Sequence, residues 1–371
     1  MADKQALQQK LEELQKDYSK TKYNKATNKY LSLLRAKMAK VRRAMAEKKG
    51  KKGEGFGVRK SGDATIVLVG FPNAGKSSLL NKLTGTDSKV ASYAFTTLSV
   101  IPGMLQYNGA KIQMLDIPGL IEGAHLGKGS GTQVASVIRI ADLLIFVVDA
   151  TEPDQLPTLV EELSLLDIKV NREKPRVMIE EKGSGGIIVE SNGHKIPEKG
   201  EVTAILNETG VYNGKAIFYS NMDAEELIAL LVEKAVYVNG IVALNKMDLL
   251  DRSKAEQIRR DMQSKFKMQV VAVSATRETN LEELKETLFD KLGLIRIYLN
   301  PKEGNVDFSK PFVTKEGSTI LDVAKGLHSK AAKNLRFAYV TGSSAKFSNQ
   351  KVGGDHVVND GDVVTLVYER F

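Results

Sequence analysis

The 371-residue chain is 42% hydrophobic and 27% charged and has no cysteine. It therefore reads as a folded, multi-domain chain without disulfides, zinc–thiolate centres or thiol catalysis. Its first residues are polar, and the longest clean apolar run, 143–148, is far short of the roughly 18 residues that a membrane span needs. A soluble, cytoplasmic protein with no membrane partner is expected. The net charge of +9 is uneven: residues 1–60 hold 18 Lys+Arg against 6 Asp+Glu, a balance of +12, which leaves −3 for the other 311. Such a distribution points to an attached polyanion-binding element.

In chain order, Leu7, Leu11, Leu14 and Tyr18 form one helical stripe and Leu31, Leu34, Met38, Val41 and Met45 a second, predicting a helical hairpin. The connection carries Lys20, Lys22, Lys25 and Lys29 with Tyr23 between them. It is open to two readings, a solvated face of a coiled-coil pair or a nucleic-acid contact. The glycines of 50–57 read as a linker. From Thr65 onward, strand signals at 66–69, 100–107, 111–117, 143–148, 240–244 and 270–273 alternate with helices, the first at 76–83. Asn108-Gly109 joins two of these strands as a hairpin turn. This pattern predicts an α/β fold with a mostly parallel sheet and one antiparallel edge.

The 96 positions from Asp149 to Asn245 exceed the roughly 30 of one crossover. Strand signals at 176–179, 187–190 and 216–219, with helices near 202–207 and 224–233, predict an inserted α+β domain. Beyond Arg296, strands near 297–299, 337–340 and 363–368 and a helix near 320–327 predict a small β-rich module. The expected domains are 1–60, 61–150 with 236–295, 151–235, and 296–371.

Three motifs end predicted strands. Gly70-Phe71-Pro72-Asn73-Ala74-Gly75-Lys76-Ser77 has the G-x-x-x-x-G-K-[ST] spacing between a strand and a helix, where backbone N–H groups and the helix N-terminus face phosphate. Lys76 is expected on the β- and γ-phosphates and the Ser77 hydroxyl on Mg²⁺. Asp116-Ile117-Pro118-Gly119 adds an acid for a magnesium-bound water and a Gly119 N–H for the γ-phosphate, at the head of a glycine-rich loop suited to change with nucleotide state. Asn245-Lys246-Met247-Asp248 places a carboxylate, Asp248, to accept from guanine N1–H and N2–H₂. Adenine lacks both donors, so ATP leaves that acid unpaired. Asn245 is expected to brace the loop, the Lys246 stem to lie over the ring, and Ser274-Ala275 to present backbone N–H to guanine O6. In Tyr93-Ala94-Phe95-Thr96-Thr97-Leu98 a threonine hydroxyl, Thr97 before Thr96, can complete the Mg²⁺ shell. The ligand implied is GTP or GDP.

The stretch Gly70–Ser78 with Asn73, the segment from Tyr93 to Leu98, and the run from Asp116 through Leu120, Ile121, Glu122 and Gly123 to Ala124 resemble the Obg-related branch of translation-factor-class GTPases. Within it the chain is most similar to the developmentally regulated GTP-binding (DRG) family. The resemblance implies a P-loop GTPase domain, an insert like ribosomal protein S5 domain 2, and a C-terminal β-grasp (TGS-like) domain. It also implies association with the ribosome or translation, a family regulatory protein partner, and K⁺ bound near Asn73 in place of an arginine finger. DNA is not an expected partner. Leu120 stands where Ras-like enzymes place a water-orienting glutamine, so catalysis must be arranged otherwise; His125 is assigned no role. The functional expectation is a K⁺-stimulated GTPase switch acting through ribosome or RNA contacts of 1–60. The alternative is a GTP-timed scaffold whose N-terminal coiled coil docks a protein.

Overall fold

The computed structural model describes residues 2–22, 24, 27–47, 60–85, 100–117, 131–301, 305–328 and 331–369. Elements in order are α1 (Ala2–Lys20), α2 (Asn28–Glu47), β1 (Ala64–Val69), α3 (Lys76–Thr84), β2 (Ile101–Tyr107), β3 (Ala110–Asp116), α4 (Gly131–Ile138), β4 (Leu143–Asp149) and α5 (Gln155–Leu165). Then come β5 (Ile168–Val170), β6 (Val177–Glu181), β7 (Ile187–Glu190), α6 (Lys199–Thr209), β8 (Gly214–Phe218), α7 (Ala224–Ile228), β9 (Val236–Asn245), α8 (Arg252–Phe266), β10 (Val270–Ala272) and α9 (Leu281–Lys291). The chain ends with β11 (Leu294–Leu299), β12 (Phe312–Lys315), α10 (Ile320–Leu327), β13 (Leu335–Thr341), β14 (Gln350–Val352) and β15 (Val363–Tyr368). Two compact units result: 1–56 with 160–238, and 57–159 with 239–371.

In the second unit the main sheet runs β10-β9-β4-β1-β3-β2. Every pairing along it is parallel except β2 with β3. β1 and β4 are buried along their whole length, because helices cover both faces of a parallel sheet and apolar side chains must fill both. β2 and β3 turn at Asn108 (φ 49°) and Gly109 (φ 81°), the two left-handed residues of a tight hairpin turn. Glycine is required at 109 for a second reason: a Cβ there would lie 2.3 Å from Pro311 Cγ in the C-terminal module. That module is a five-stranded sheet, β12-β11-β15-β13-β14. Its core is Ile297, Ile320, Val323, Ala338, Val340 and Val364, and α10 is capped reciprocally by Thr319 and Asp322. It is tied to the foot of the main sheet through Asp142, which accepts from Thr65 N–H (2.9 Å) and Lys315 Nζ (2.8 Å).

The first unit departs from the domain division expected above. Its three-stranded sheet, β6-β8-β7, and helices α6 and α7 share one apolar core with α2, whose Ala36 and Ala39 lie among Val202, Ile205, Phe218 and Leu227. Ser32 Oγ donates to Glu201 Oε1 within this contact (2.7 Å, buried). The basic hairpin is therefore part of the insert's fold and not a separate arm. Its periodicity revealed an apolar face, but periodicity does not say what covers it. Replacing Ala36 by Glu puts an unpaired charge into this core and should destabilise the first unit by roughly 3 kcal/mol or more. Urea unfolding followed by far-UV circular dichroism reads the loss.

Candidate guanine-nucleotide site

The carboxyl ends of β1, β3, β4, β9 and β10 converge at one edge of the main sheet. β1 is the switch point there, with β3 on one side and β4 on the other, the place where open α/β sheets bind ligands. Gly70 follows β1 directly, and the loop to α3 needs left-handed backbone at Asn73 (φ 63°) and Gly75 (φ 91°). Side chains are excluded by contact as well. A Cβ on Gly70 would lie 2.4 Å from Val147 O, and one on Gly75 2.2 Å from Asn245 Nδ2. Lys76 opens α3 and is 7% exposed. Its Nζ donates to Gly70 O and Phe71 O, both at 3.0 Å. Burial lowers its pKa, partly opposed by the charge of Asp116.

Asp116 closes β3 and is 1% exposed. Its Oδ2 accepts from Ser77 Oγ, while Oδ1 is buried with no partner among the described residues. Burial raises its pKa, against the opposing pull of Ser77 and Lys76. A buried, unpartnered carboxylate oxygen beside a serine hydroxyl is a hard-oxygen donor set of the kind Mg²⁺ takes, so these residues fit the metal. Thr96, Thr97, Gly119, Leu120 and His125 lie outside the described residues. Asn73, Pro72, Ser77 and Ser78 are exposed on the rim of the loop, while Ala74 is buried beneath it.

On the base side, Asn245 is 1% exposed. Its Nδ2 donates to Ala74 O (2.9 Å), and its Oδ1 accepts from Ala275 N–H (3.1 Å). One amide thus fastens the phosphate loop to the loop after β10. Lys246 has a left-handed φ of 64° and its Nζ pairs with Asp149 Oδ2 at 2.7 Å. Asp248 is exposed and has no side-chain partner among the described residues, as a carboxylate awaiting the guanine edge requires.

The two backbone donors of Ser274-Ala275 are already engaged within the protein. Ser274 N–H donates to Thr279 O (3.2 Å) and Ala275 N–H to Asn245 Oδ1, so both donors expected for O6 are engaged by the protein. Thr276 N–H, on the exposed side of the loop, has no protein acceptor among the described residues. It is the donor left available, with Ala275 only by sharing. Motif spacing could not show this, because it depends on which way the Asn245 amide points. Asp149 was also missed; its only signal was an acid ending the apolar run of β4.

Comparison with known proteins bears on the same residues. Residues 65–182 match the family described as 50S ribosome-binding GTPase. Residues 184–294 match the C-terminal region of that domain and 295–368 the TGS domain. The chain is 38% identical over 365 residues to human developmentally-regulated GTP-binding protein 2, covering 97% of this chain and 98% of that one. The chain belongs to the developmentally-regulated GTP-binding protein family. It is also 41% identical over 375 residues to a GTP-binding protein of Methanocaldococcus jannaschii, covering 100% of this chain and 95% of that one. GTP-binding protein 1 of Schizosaccharomyces pombe is 40% identical, with coverage of 97% and 98%. Family membership makes this a GTP-binding protein, in agreement with the geometry at Lys76, Asp116 and Asn245. No described helix is long and apolar enough to cross a membrane.

A cavity of about 840 Å³ in the first unit is distinct from this site. Part of its wall charge is already compensated, Arg35 pairing with Glu225 at 3.1 Å.

Replacing Asp248 by Asn exchanges an acceptor for an amide that can donate to a C2 carbonyl. Affinity should shift from GDP toward xanthosine diphosphate by about 100-fold or more, the scale on which a site built for a hydrogen bond rejects the wrong edge. Competition against fluorescent GDP measures the exchange.

Proposed function

We propose that this chain is a K⁺-stimulated GTPase that works as a nucleotide-timed switch in translation through ribosome or RNA contacts. The observation that carries the nucleotide part is the Asn245 bridge, which joins the loop that holds phosphate to the loop that reads the base, as suits one ligand with both ends. The hydrolytic part is supported by the match to a family described as a GTPase. In this reading the triphosphate takes the donors of the Gly70–Ser77 loop, and Lys76 Nζ leaves the Gly70 and Phe71 carbonyls for the β- and γ-phosphates. A lysine already desolvated interacts more strongly with incoming anions. Asp116 and Ser77, with Thr97, would hold Mg²⁺, which supplies charge neutralisation for phosphoryl transfer when bound. Leu120 cannot orient water. The resemblance implies K⁺ in place of an arginine finger, and Asn73, on the loop rim with no side-chain partner among the described residues, is the proposed ligand for it.

The ribosomal part is supported by the +12 balance of residues 1–60 and by the match to a family known as 50S ribosome-binding GTPase. What favours it over the protein-docking scaffold is that the α2 stripe is used within the chain, Leu31, Leu34 and Val41 being buried. The lysines of α1, among them Lys10, Lys16 and Lys20, stay exposed. Basic character is left for a partner where an apolar coiled-coil seam is not.

Phosphate release should be about tenfold faster in KCl than in NaCl at equal ionic strength, and Lys76→Ala should abolish triphosphate binding. Equal rates in the two salts would remove K⁺ from the mechanism without touching nucleotide binding.

Ribosome co-sedimentation should weaken for the Lys10, Lys16 and Lys20 triple alanine variant. Its salt slope should flatten by about 2 to 3. Binding that is unchanged would move the contact elsewhere. Substitution is preferable to deletion, since removing 1–60 strips the insert of Ala36 and Ala39.

A further inference from the structure

Asp149 closes β4 directly opposite Asn245 in the β4–β9 register, on the base side of the site. Both of its oxygens are used. Oδ1 accepts from Thr151 N–H (2.9 Å) and Thr151 Oγ1 (2.7 Å), and Oδ2 accepts from Lys246 Nζ (2.7 Å). The acid side chain is 12% exposed and the lysine 30%. Exposed ion pairs between flexible side chains contribute little, because ordering two long chains costs what the charge returns. This pair differs, since the acid is already oriented by Thr151 whether or not lysine is present. Nor is the pair needed to keep the strand tips together, because Ala150 N–H donates to Asn245 O at 2.8 Å. What it does fix is Lys246, a lysine whose backbone sits in the left-handed region at φ 64° and whose stem would otherwise sample many rotamers.

We propose that Asp149 is a positioning residue for base recognition. It pins the Lys246 ammonium, so that the aliphatic stem is set as a surface for the purine before nucleotide arrives. The inference rests on the guanine-binding reading above. Pre-ordering the stem removes part of the entropy that binding would otherwise have to overcome, so the effect appears as longer nucleotide residence. Asp149 closes β4, whereas Lys76 opens α3 and Asp116 closes β3, and its role is distinct from that of Asp248, which is proposed to meet the base edge.

The test is the dissociation rate of fluorescent GDP from the full chain, in a double-mutant cycle. Asp149→Asn, which keeps shape and loses charge, should speed release about tenfold, the usual scale for losing a charge-assisted hydrogen bond. Lys246→Met should be at least as fast. Adding Asp149→Asn to Lys246→Met should change nothing further, because the acid acts through the lysine. Asp149→Glu, which restores the charge on a longer arm, should return the rate to within about threefold of the parent. An Asp149→Asn effect that persists in the Lys246→Met background overturns the proposal, as does a Glu variant no slower than the Asn variant. Should Asp149→Asn not fold, a Lys246→Met variant that retains GDP as long as the parent overturns it equally. A parent chain that holds no GDP fails the guanine-binding reading itself, a separate outcome.

Discussion

The nucleotide site depends on one buried amide. Asn245 donates to the Ala74 carbonyl and accepts from the Ala275 N–H, and its nitrogen occupies the space that any side chain at Gly75 would need. A buried polar group that loses its partner costs about 1–3 kcal/mol, and here one substitution would orphan a carbonyl and an N–H on two different loops. The phosphate loop and the base loop therefore share a single determinant of their spacing. Lys246 and Asp248 follow Asn245 directly on the loop leaving β9, so the base-reading groups inherit the same reference point. The left-handed backbone at Asn73 and Lys246 is then local strain in loops that this bridge and the strand tips hold, while Gly75 takes its left-handed φ without strain.

The phosphate side carries a second kind of stored cost. Lys76 and Asp116 are both nearly fully buried, and burial moves each pKa toward its neutral form. Because the folded pKa of Asp116 is raised, its linkage runs opposite to that of an ordinary paired carboxylate. Folded apo-protein binds the proton better than unfolded chain, so this group's contribution favours the fold at low pH and is lost as pH rises through the folded pKa. The unpartnered Oδ1 states the same fact geometrically. A cation beside that oxygen and anions beside Lys76 would relieve both penalties at once, so ligand binding gains from groups that the unliganded fold holds at a cost. The cradle is preorganised for charge rather than relaxed around its absence.

How much of this could be read from the residues depended on the range over which each feature is encoded. The strands of the main sheet were legible because a parallel sheet buries both faces and leaves unbroken apolar runs such as 143–148. The loop after β1 was legible because phosphate binding demands glycine at fixed offsets, and Asn108-Gly109 because only left-handed residues make that turn. The engagement of the Ser274 and Ala275 donors was not legible, because a backbone N–H looks available in any sequence; its acceptor, here Thr279 O or Asn245 Oδ1, is set by tertiary approach. Asp149 escaped notice for a related reason. An acid at a strand end acquires meaning only when β4 and β9 are aligned and Lys246 is seen to reach it.

The amino-terminal hairpin separates two signals that composition blends. Its charge and its apolar stripe were read together as one attached element, yet they face different neighbours. The insert takes up α2 through residues beside that stripe, Ala36 and Ala39 in its core and Ser32 against Glu201, while Leu31, Leu34, Met38 and Val41 of the stripe are themselves buried. The charge is carried on the remaining surface, where Lys10, Lys16 and Lys20 meet solvent. Apolar periodicity reports that some surface must be covered, whereas net charge reports what the uncovered surface can attract. A segment can therefore be indispensable to the fold on one face and available to a polyanion on the other. Any experiment that removes it whole measures both at once.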